Sequence, residues 1–111
     1  MSDATSVNLE DHRGRAVTLA RAASSALTVL GVTVLGVTVL VTGSLARGRF
    51  GPQSDIDFLV TSCPRHLKYA IEGVLEDILG GLRFDVIYLD EIPTWKVPRF
   101  TEYAVDARHL R

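Results

Sequence analysis

The sequence predicts an α+β (α/β) fold, in which a small mixed β-sheet is packed by helices and the whole chain forms one domain. Two long segments carry apolar residues at spacings of three and four, which indicates amphipathic helices. Three short runs are rich in β-branched and aromatic residues, which indicates strands, and Gly or Pro residues separate the segments. The predicted order is helix, strand, short turn, strand, helix, strand and helix.

Length and charge narrow the class of protein. The 111 residues suit a single domain, with residues 1–8 predicted to be flexible, 9–31 to form an N-terminal helix and 32–110 to form the core. A net charge of −1 does not fit a basic nucleic-acid-binding module, so no direct nucleic-acid partner is expected. The single cysteine, Cys63, cannot form an internal disulfide and is predicted to be a small packing residue, in a cytoplasmic protein.

The first helix and the first strand lie in one largely uncharged stretch. The apolar periodicity from Leu9 to about Leu30 predicts the helix, and Val32–Thr42 predicts a strand buried on both faces. Ala26–Val41 is shorter than the ~20 apolar residues of a membrane-spanning helix and contains Thr and Gly, so no membrane partner is expected. The repeat L-G-V-T-V, at Leu30–Val34 and Leu35–Val39, indicates a small duplication at the helix–strand junction.

The elements after They are predicted as a short helical turn at Leu45–Gly48, a loop at Arg49–Ser54, a strand at Asp55–Thr61, a helix from Pro64 to Gly80-Gly81, a strand at Arg83–Leu89, and a last helix at Arg99–Leu110.

Three aspartates point to a metal site. Asp55 and Asp57 are two residues apart on a predicted strand, so their carboxylates project from the same face. When two carboxylates lie so close together, the pKa of one of them rises unless a counterion is present. Mg²⁺ is a suitable counterion because it prefers oxygen ligands. Asp85, in the apolar third strand, is predicted to be a buried carboxylate that needs a partner.

The Gly-Ser pair before them has a matching role. A glycine at a strand end lets the backbone approach a bulky anion, and free N–H groups near Ser44 together with its hydroxyl can donate to phosphate. Arg47 can neutralise phosphate charge. The stretch is therefore interpreted as a site for a nucleoside triphosphate and its metal. A calcium-binding loop does not fit, because Asp57 is followed by apolar residues rather than by further oxygen ligands and a glycine. A Walker loop does not fit, because no G-K-[ST] sequence follows Gly43.

The conjunction of these features resembles the minimal nucleotidyltransferase family, within the DNA polymerase beta-type nucleotidyltransferase superfamily. The family motif is G-S, ten residues and D-x-D, present here as Gly43-Ser44, Leu45–Ser54 and Asp55-Ile56-Asp57. The elaboration G-S-x-A-R-G is also present, and the similarity runs from about Val37 to Leu110.

The resemblance implies a polymerase beta-like fold, Mg²⁺ and ATP. By resemblance, the catalytic, metal-binding carboxylates are Asp55, Asp57 and Asp85, and the residues expected to bind nucleotide are Gly43, Ser44, Arg47 and Ser54. Asp85 would also act as the base on the acceptor hydroxyl. Such short proteins often act beside a small helical HEPN-type ribonuclease, so the implied role is an antitoxin that adds AMP to that toxin, in a homo- or hetero-oligomer.

Two other functions stay open. One is a non-catalytic antitoxin that acts by contact alone, although all three carboxylates are in place. The other is an adenylyltransferase for a small aminoglycoside, although such enzymes usually carry a further helical domain for the drug.

Several residues are given structural roles. Trp95 is predicted to pack against the last helix or, alternatively, to mark a partner surface. Tyr88 and Tyr103 are predicted to lie in the core. The three histidines are predicted to be surface or capping residues, at His12, His66 and His109.

Overall fold

The structure is a computed structural model that describes residues 4–31, 37–61 and 63–110, with the side chains of residues 4–10 excepted. Its helices and strands follow the predicted order. They are α1 (Ala4–Leu30), β1 (Val39–Thr42), α2 (Gly43–Ala46), β2 (Ile56–Val60), α3 (Arg65–Leu79), β3 (Phe84–Tyr88) and α4 (Val97–Thr101), with short 3₁₀ turns at Leu89–Glu91, Thr94–Lys96 and Ala107–His109.

Within the described residues, the three strands form one mixed sheet in the order β1-β2-β3. β1 is antiparallel to β2, and β2 is parallel to β3, so the predicted mixed sheet is confirmed. The register pairs Thr42 with Asp57, and Asp57 with Asp85. Because directly paired residues project from the same face of a sheet, these three side chains form a row across it.

The core lies on the opposite face of the sheet. Ile56, Phe58 and Val60 of β2 are fully buried on this face, and Leu59 is buried on the other face of the same strand. The helices cover the core face with residues spaced by three or four: Ala16, Ala20, Ala23 and Leu27 of α1, and Ile71, Leu75 and Leu79 of α3. The helical periodicity of both segments therefore reports burial correctly. α3 ends at Gly80, whose φ of 54° is left-handed, as the Gly-Gly pair predicts.

Two boundaries near the N-terminus differ from the prediction. α1 takes in Ala4 to Asn8, which are predicted to be flexible, because extending an existing helix adds a hydrogen bond for each residue fixed. β1 begins at Val39, which pairs with Val60 of β2, and the described residues before it, Val37 and Thr38, are not part of the strand. Residues 32–36, and with them much of the predicted repeat, lie outside the described residues.

The predicted last helix at Arg99–Leu110 is wrong. α4 ends at Thr101, and Val105 exchanges backbone hydrogen bonds of 2.8 and 2.9 Å with Val41 on the free edge of β1. Pairing with a strand requires extended backbone, so this bridge overrides the helical spacing of Phe100, Tyr103 and Ala107.

Among the helices of the described part of the chain, none has both the length and the apolar character needed to cross a membrane.

A buried hydroxyl attaches α4 to the sheet. Thr42 is 4% exposed, and its Oγ1 donates to the carbonyl oxygen of Phe100 at 2.7 Å. We expect Thr42→Val, which keeps the shape and removes the donor, to lower the free energy of unfolding by about 1–2 kcal/mol in chemical denaturation.

The matched control is Thr101→Val. Thr101 is exposed and its hydroxyl bonds the Val97 carbonyl of its own helix, so we expect a change below about 0.5 kcal/mol. Equal losses in the two variants would contradict an anchoring role for Thr42.

Candidate functional site

A cleft of about 570 Å³ opens on the face of the sheet that carries Asp57 and Asp85. Its floor is the row of side chains that starts at Thr42, and the segment from Arg99 to Tyr103 forms a second wall. The lining residues are Thr42, Gly43, Arg47, Asp57, Asp85, Ile87, Arg99, Phe100, Glu102 and Tyr103.

Asp57 is the most perturbed carboxylate of the cleft. Partial burial, followed by the negative charges of Asp85 and Asp55, raises the pKa of Asp57 to about 6. The two neighbouring carboxylates are therefore close enough to oppose its ionisation. The conflict with Asp55 that the D-x-D spacing predicts is therefore present, but burial and Asp85 contribute more to the shift.

Asp85 is exposed, so its predicted burial is wrong. β3 lies at the edge of the sheet, and Asp85 lies on the face where the cleft opens. One oxygen of Asp85, Oδ1, accepts the N–H of Val86 at 3.0 Å. Because the carboxylate faces solvent, an incoming group can reach it without rearrangement of the core.

Asp55 does not line the cleft. Its Oδ1 lies 3.2 Å from Nε of Arg83. Arg83 also donates from Nη2 to the Gln53 carbonyl at 2.6 Å, and its own carbonyl accepts the N–H of Ile56 at 3.0 Å. Arg83 therefore holds the segment that leads into β2 at three points and partly neutralises Asp55. Both charged side chains are exposed, so the pair contributes about 0–1 kcal/mol to stability.

Gly43 brings the backbone against the Asp57 carboxylate. Its φ is 70°, a left-handed conformation that favours glycine. A Cβ at this position would collide with Oδ2 of Asp57 and lie 3.1 Å from its Cγ. The glycine of the motif is thus required twice, for its conformation and for the close approach.

Arg47 follows the short helix α2 and faces the cleft. Its N–H donates to the Gly43 carbonyl at 3.1 Å, and its guanidinium lies 4.7 Å from the centre of the Tyr103 ring. Ser44 does not line the cleft. Ser54 closes the Gly51 turn, because its Oγ accepts the Gly51 N–H at 2.9 Å. The structure therefore brings together Gly43, Arg47, Asp57 and Asp85 of the seven predicted site residues.

Sequence reasoning missed the second wall of the cleft. Arg99 and Glu102 line it and were given no role, and Tyr103, predicted to be in the core, is 47% exposed. The signal available in the sequence is the spacing of four between Arg99 and Tyr103, but the predicted helix places Tyr103 on its apolar face.

The other residue predictions have mixed outcomes. Trp95 is 75% exposed, so its predicted packing is wrong. Tyr88 lies in the core as predicted, and its hydroxyl donates to Glu72 at 2.8 Å. Cys63 is buried, as predicted. His66 and His109 are exposed, whereas the half-buried His12 stacks on Phe50 with 5.1 Å between ring centres.

In the described part of the chain, no group of three or more His, Cys, Asp or Glu side chains is arranged so that it could hold a metal ion. The donor chemistry nevertheless fits a hard divalent cation. The carboxylates of Asp57 and Asp85 are neighbours on one face. Burial and the charges of Asp85 and Asp55 raise the pKa of Asp57, and a bound cation would stabilise its ionised form.

Comparison with known families identifies the class of protein. A family model described as a nucleotidyltransferase domain matches residues 27–107, which include all three strands, the G-S pair and the three aspartates. The chain therefore belongs to the nucleotidyltransferase domain family. It is a transferase of nucleotidyl groups with the small mixed fold of that family, whose members typically use a nucleoside triphosphate and a divalent metal. No curated protein matches the chain.

Proposed function

We propose that this chain is an Mg²⁺-dependent nucleotidyltransferase that transfers AMP from ATP to a hydroxyl group of a protein partner, and that it is the antitoxin of a HEPN-type ribonuclease. The observation that carries the proposal is the pairing of Asp57 with Asp85 on the open face, with Gly43 against Asp57 and Arg47 in the same cleft.

Asp55, Asp57 and Asp85 are the residues that would hold Mg²⁺. Burial, followed by the charges of Asp85 and Asp55, raises the pKa of Asp57, and a divalent cation would offset both effects. Bound there, Mg²⁺ would neutralise negative charge on the triphosphate and on the leaving pyrophosphate.

Side chains and backbone groups of this chain would bind the triphosphate and accept the proton of the acceptor hydroxyl. Arg47 and Arg99 supply positive charge to the triphosphate from the two sides of the cleft. The backbone at Gly43 and the Ser44 hydroxyl would donate to phosphate oxygens. A bond forms between the acceptor oxygen and the α-phosphorus, the bond from that phosphorus to the pyrophosphate oxygen breaks, and the hydroxyl proton passes to exposed Asp85.

The surroundings of the cleft support a macromolecular acceptor. Asp85 lies on an edge strand, where a hydroxyl on a large partner can approach. Trp95, 75% exposed, lies just before α4, the helix that carries Arg99, and Nζ of Lys96 is 5.1 Å from its ring centre. Exposed tryptophans are over-represented among binding hot spots, which favours the partner-surface alternative for Trp95.

The test is transfer of label from α-labelled ATP, with Mg²⁺, to a HEPN-type partner protein. We expect label on the partner with the wild-type chain and none with the double variant Asp55→Asn, Asp57→Asn. The matched control, Asp11→Asn with Asp77→Asn, removes two exposed carboxylates outside the cleft and should transfer label normally.

The other outcomes separate the alternatives. If the partner is silenced equally by the wild type and by Asp55→Asn, Asp57→Asn, with no label on it, the chain acts by contact and the enzymatic proposal is wrong. If label appears on an aminoglycoside rather than on protein, the acceptor class is wrong and the transfer chemistry stands.

A further inference from the structure

We propose that Tyr103 is a positioning residue that holds the Arg47 guanidinium ready for the nucleotide phosphates. This inference rests on the proposed nucleotide site and concerns how the site is kept in shape. It is carried by the contact between the guanidinium carbon of Arg47 and the Tyr103 ring, at 4.7 Å from the ring centre, and by the way both segments are fixed.

The backbone that carries Arg47 is held by short-range hydrogen bonds. Arg47 N–H donates to the Gly43 carbonyl at 3.1 Å, and Arg49 N–H donates to the Ser44 carbonyl at 2.8 Å. The side chain beyond is exposed and long, and a free arginine side chain samples many rotamers. Backbone order alone therefore does not fix the guanidinium.

The segment that carries Tyr103 is attached to β1 on both sides. Before it, the Phe100 carbonyl accepts from Oγ1 of Thr42 at 2.7 Å, and after it Val105 pairs with Val41 at 2.8 and 2.9 Å. Tyr103 is nevertheless 47% exposed, so burial in the core does not explain its place. The contact with Arg47 gives this aromatic ring a role.

The stack has a consequence for the charge balance of the cleft. Asp57 and Asp85 line the same cleft as Arg47, yet in the described part of the chain no carboxylate lies within ion-pair distance of Arg47. A ring beneath the guanidinium face stabilises the cation without using its N–H groups. Those groups stay available for bidentate bonds to phosphate oxygens, and the carboxylates stay available for a metal.

The first measurement detects the stack itself. In NMR spectra of the free protein, the Arg47 Hε resonance should be shifted upfield by the Tyr103 ring. We expect this shift to persist in Tyr103→Phe, which keeps the ring, and to disappear in Tyr103→Leu. Tyr69→Leu, which removes a more exposed ring from α3, should leave the resonance unchanged.

The second measurement is the Kd for ATP with Mg²⁺ by calorimetry. Tyr103→Leu should weaken binding roughly two- to fivefold, the range expected for an exposed cation–π contact, and Tyr103→Phe should restore it. Arg47→Gln should weaken binding about tenfold through loss of a charge-assisted bond. If Tyr103 acts through Arg47, adding Tyr103→Leu to Arg47→Gln should cause no further loss.

Three results would overturn the inference: an unshifted Arg47 resonance in the wild type, unchanged affinity in Tyr103→Leu, or effects of the two substitutions that multiply in the double variant. The last would mean that Tyr103 contacts the nucleotide independently of Arg47. Binding of ATP with the predicted coupling, but without transfer to protein, would overturn the proposed function and leave the role of Tyr103 intact.

Discussion

Asp57→Asn is expected to abolish nucleotidyl transfer and, in the same variant, to make the protein more stable in the absence of metal. Transfer should fall by about 10³-fold or more, because a charged ligand of the proposed metal is lost. The carboxylate is half-buried among like charges, and Asn removes that charge without a change of shape. The free energy of unfolding at pH 7 in EDTA should rise by about 1–2 kcal/mol, a value discounted for solvent screening.

The pH dependence has a definite sign. Burial and the charges of Asp85 and Asp55 raise the pKa of Asp57 from 3.8 to about 6, so the folded chain holds this proton more tightly than the unfolded chain. The stability that protonation contributes is complete below about pH 4, is lost as the pH rises to about 6, and changes no further above that. The advantage of Asp57→Asn over the wild type should therefore grow between those two pH values.

The control is Asp77→Asn on α3, which removes an exposed charge far from the D-x-D motif in sequence and outside the cleft. It should change neither transfer nor the shape of the stability-pH curve. If Asp57→Asn is instead less stable than the wild type at pH 7 in EDTA, the like-charge account of this face is wrong.

Gly43→Ala should be the most destabilising single substitution in the motif. It places a Cβ at a φ of 70° and against the Asp57 carboxylate, so both backbone strain and a collision oppose folding. We expect the free energy of unfolding to fall by about 3 kcal/mol in chemical denaturation, with loss of transfer.

Gly48 offers a matched control because its φ of 74° is similar and a Cβ there would meet open space. Gly48→Ala should cost only the left-handed conformation, about 1 kcal/mol. Combining Gly43→Ala with Asp57→Ala should recover part of the loss, since the added methyl group then meets no carboxylate. Equal losses for the two glycines would mean that the approach of Gly43 to Asp57 has no energetic consequence.

Local patterns determined most of the elements and the motif. The spacing of three and four in α1 and α3 reports which residues are buried, because a helix repeats every 3.6 residues wherever it packs. Gly80 ends α3 because its left-handed conformation is local as well. The G-S and D-x-D spacing likewise identified the family, and the alternation within β2 correctly separated Asp57 from the core residues Ile56 and Phe58.

Only the tertiary structure decided which of the predicted residues meet. The register that sets Asp57 beside Asp85 and the position of β3 at the sheet edge, which leaves Asp85 exposed, depend on strands far apart in sequence. The bridge between Val105 and Val41, which ends the predicted helix and brings Tyr103 over Arg47, is long-range too. Sequence periodicity reports only the face on which a residue lies, whereas its neighbours are selected by hydrogen bonds between distant segments.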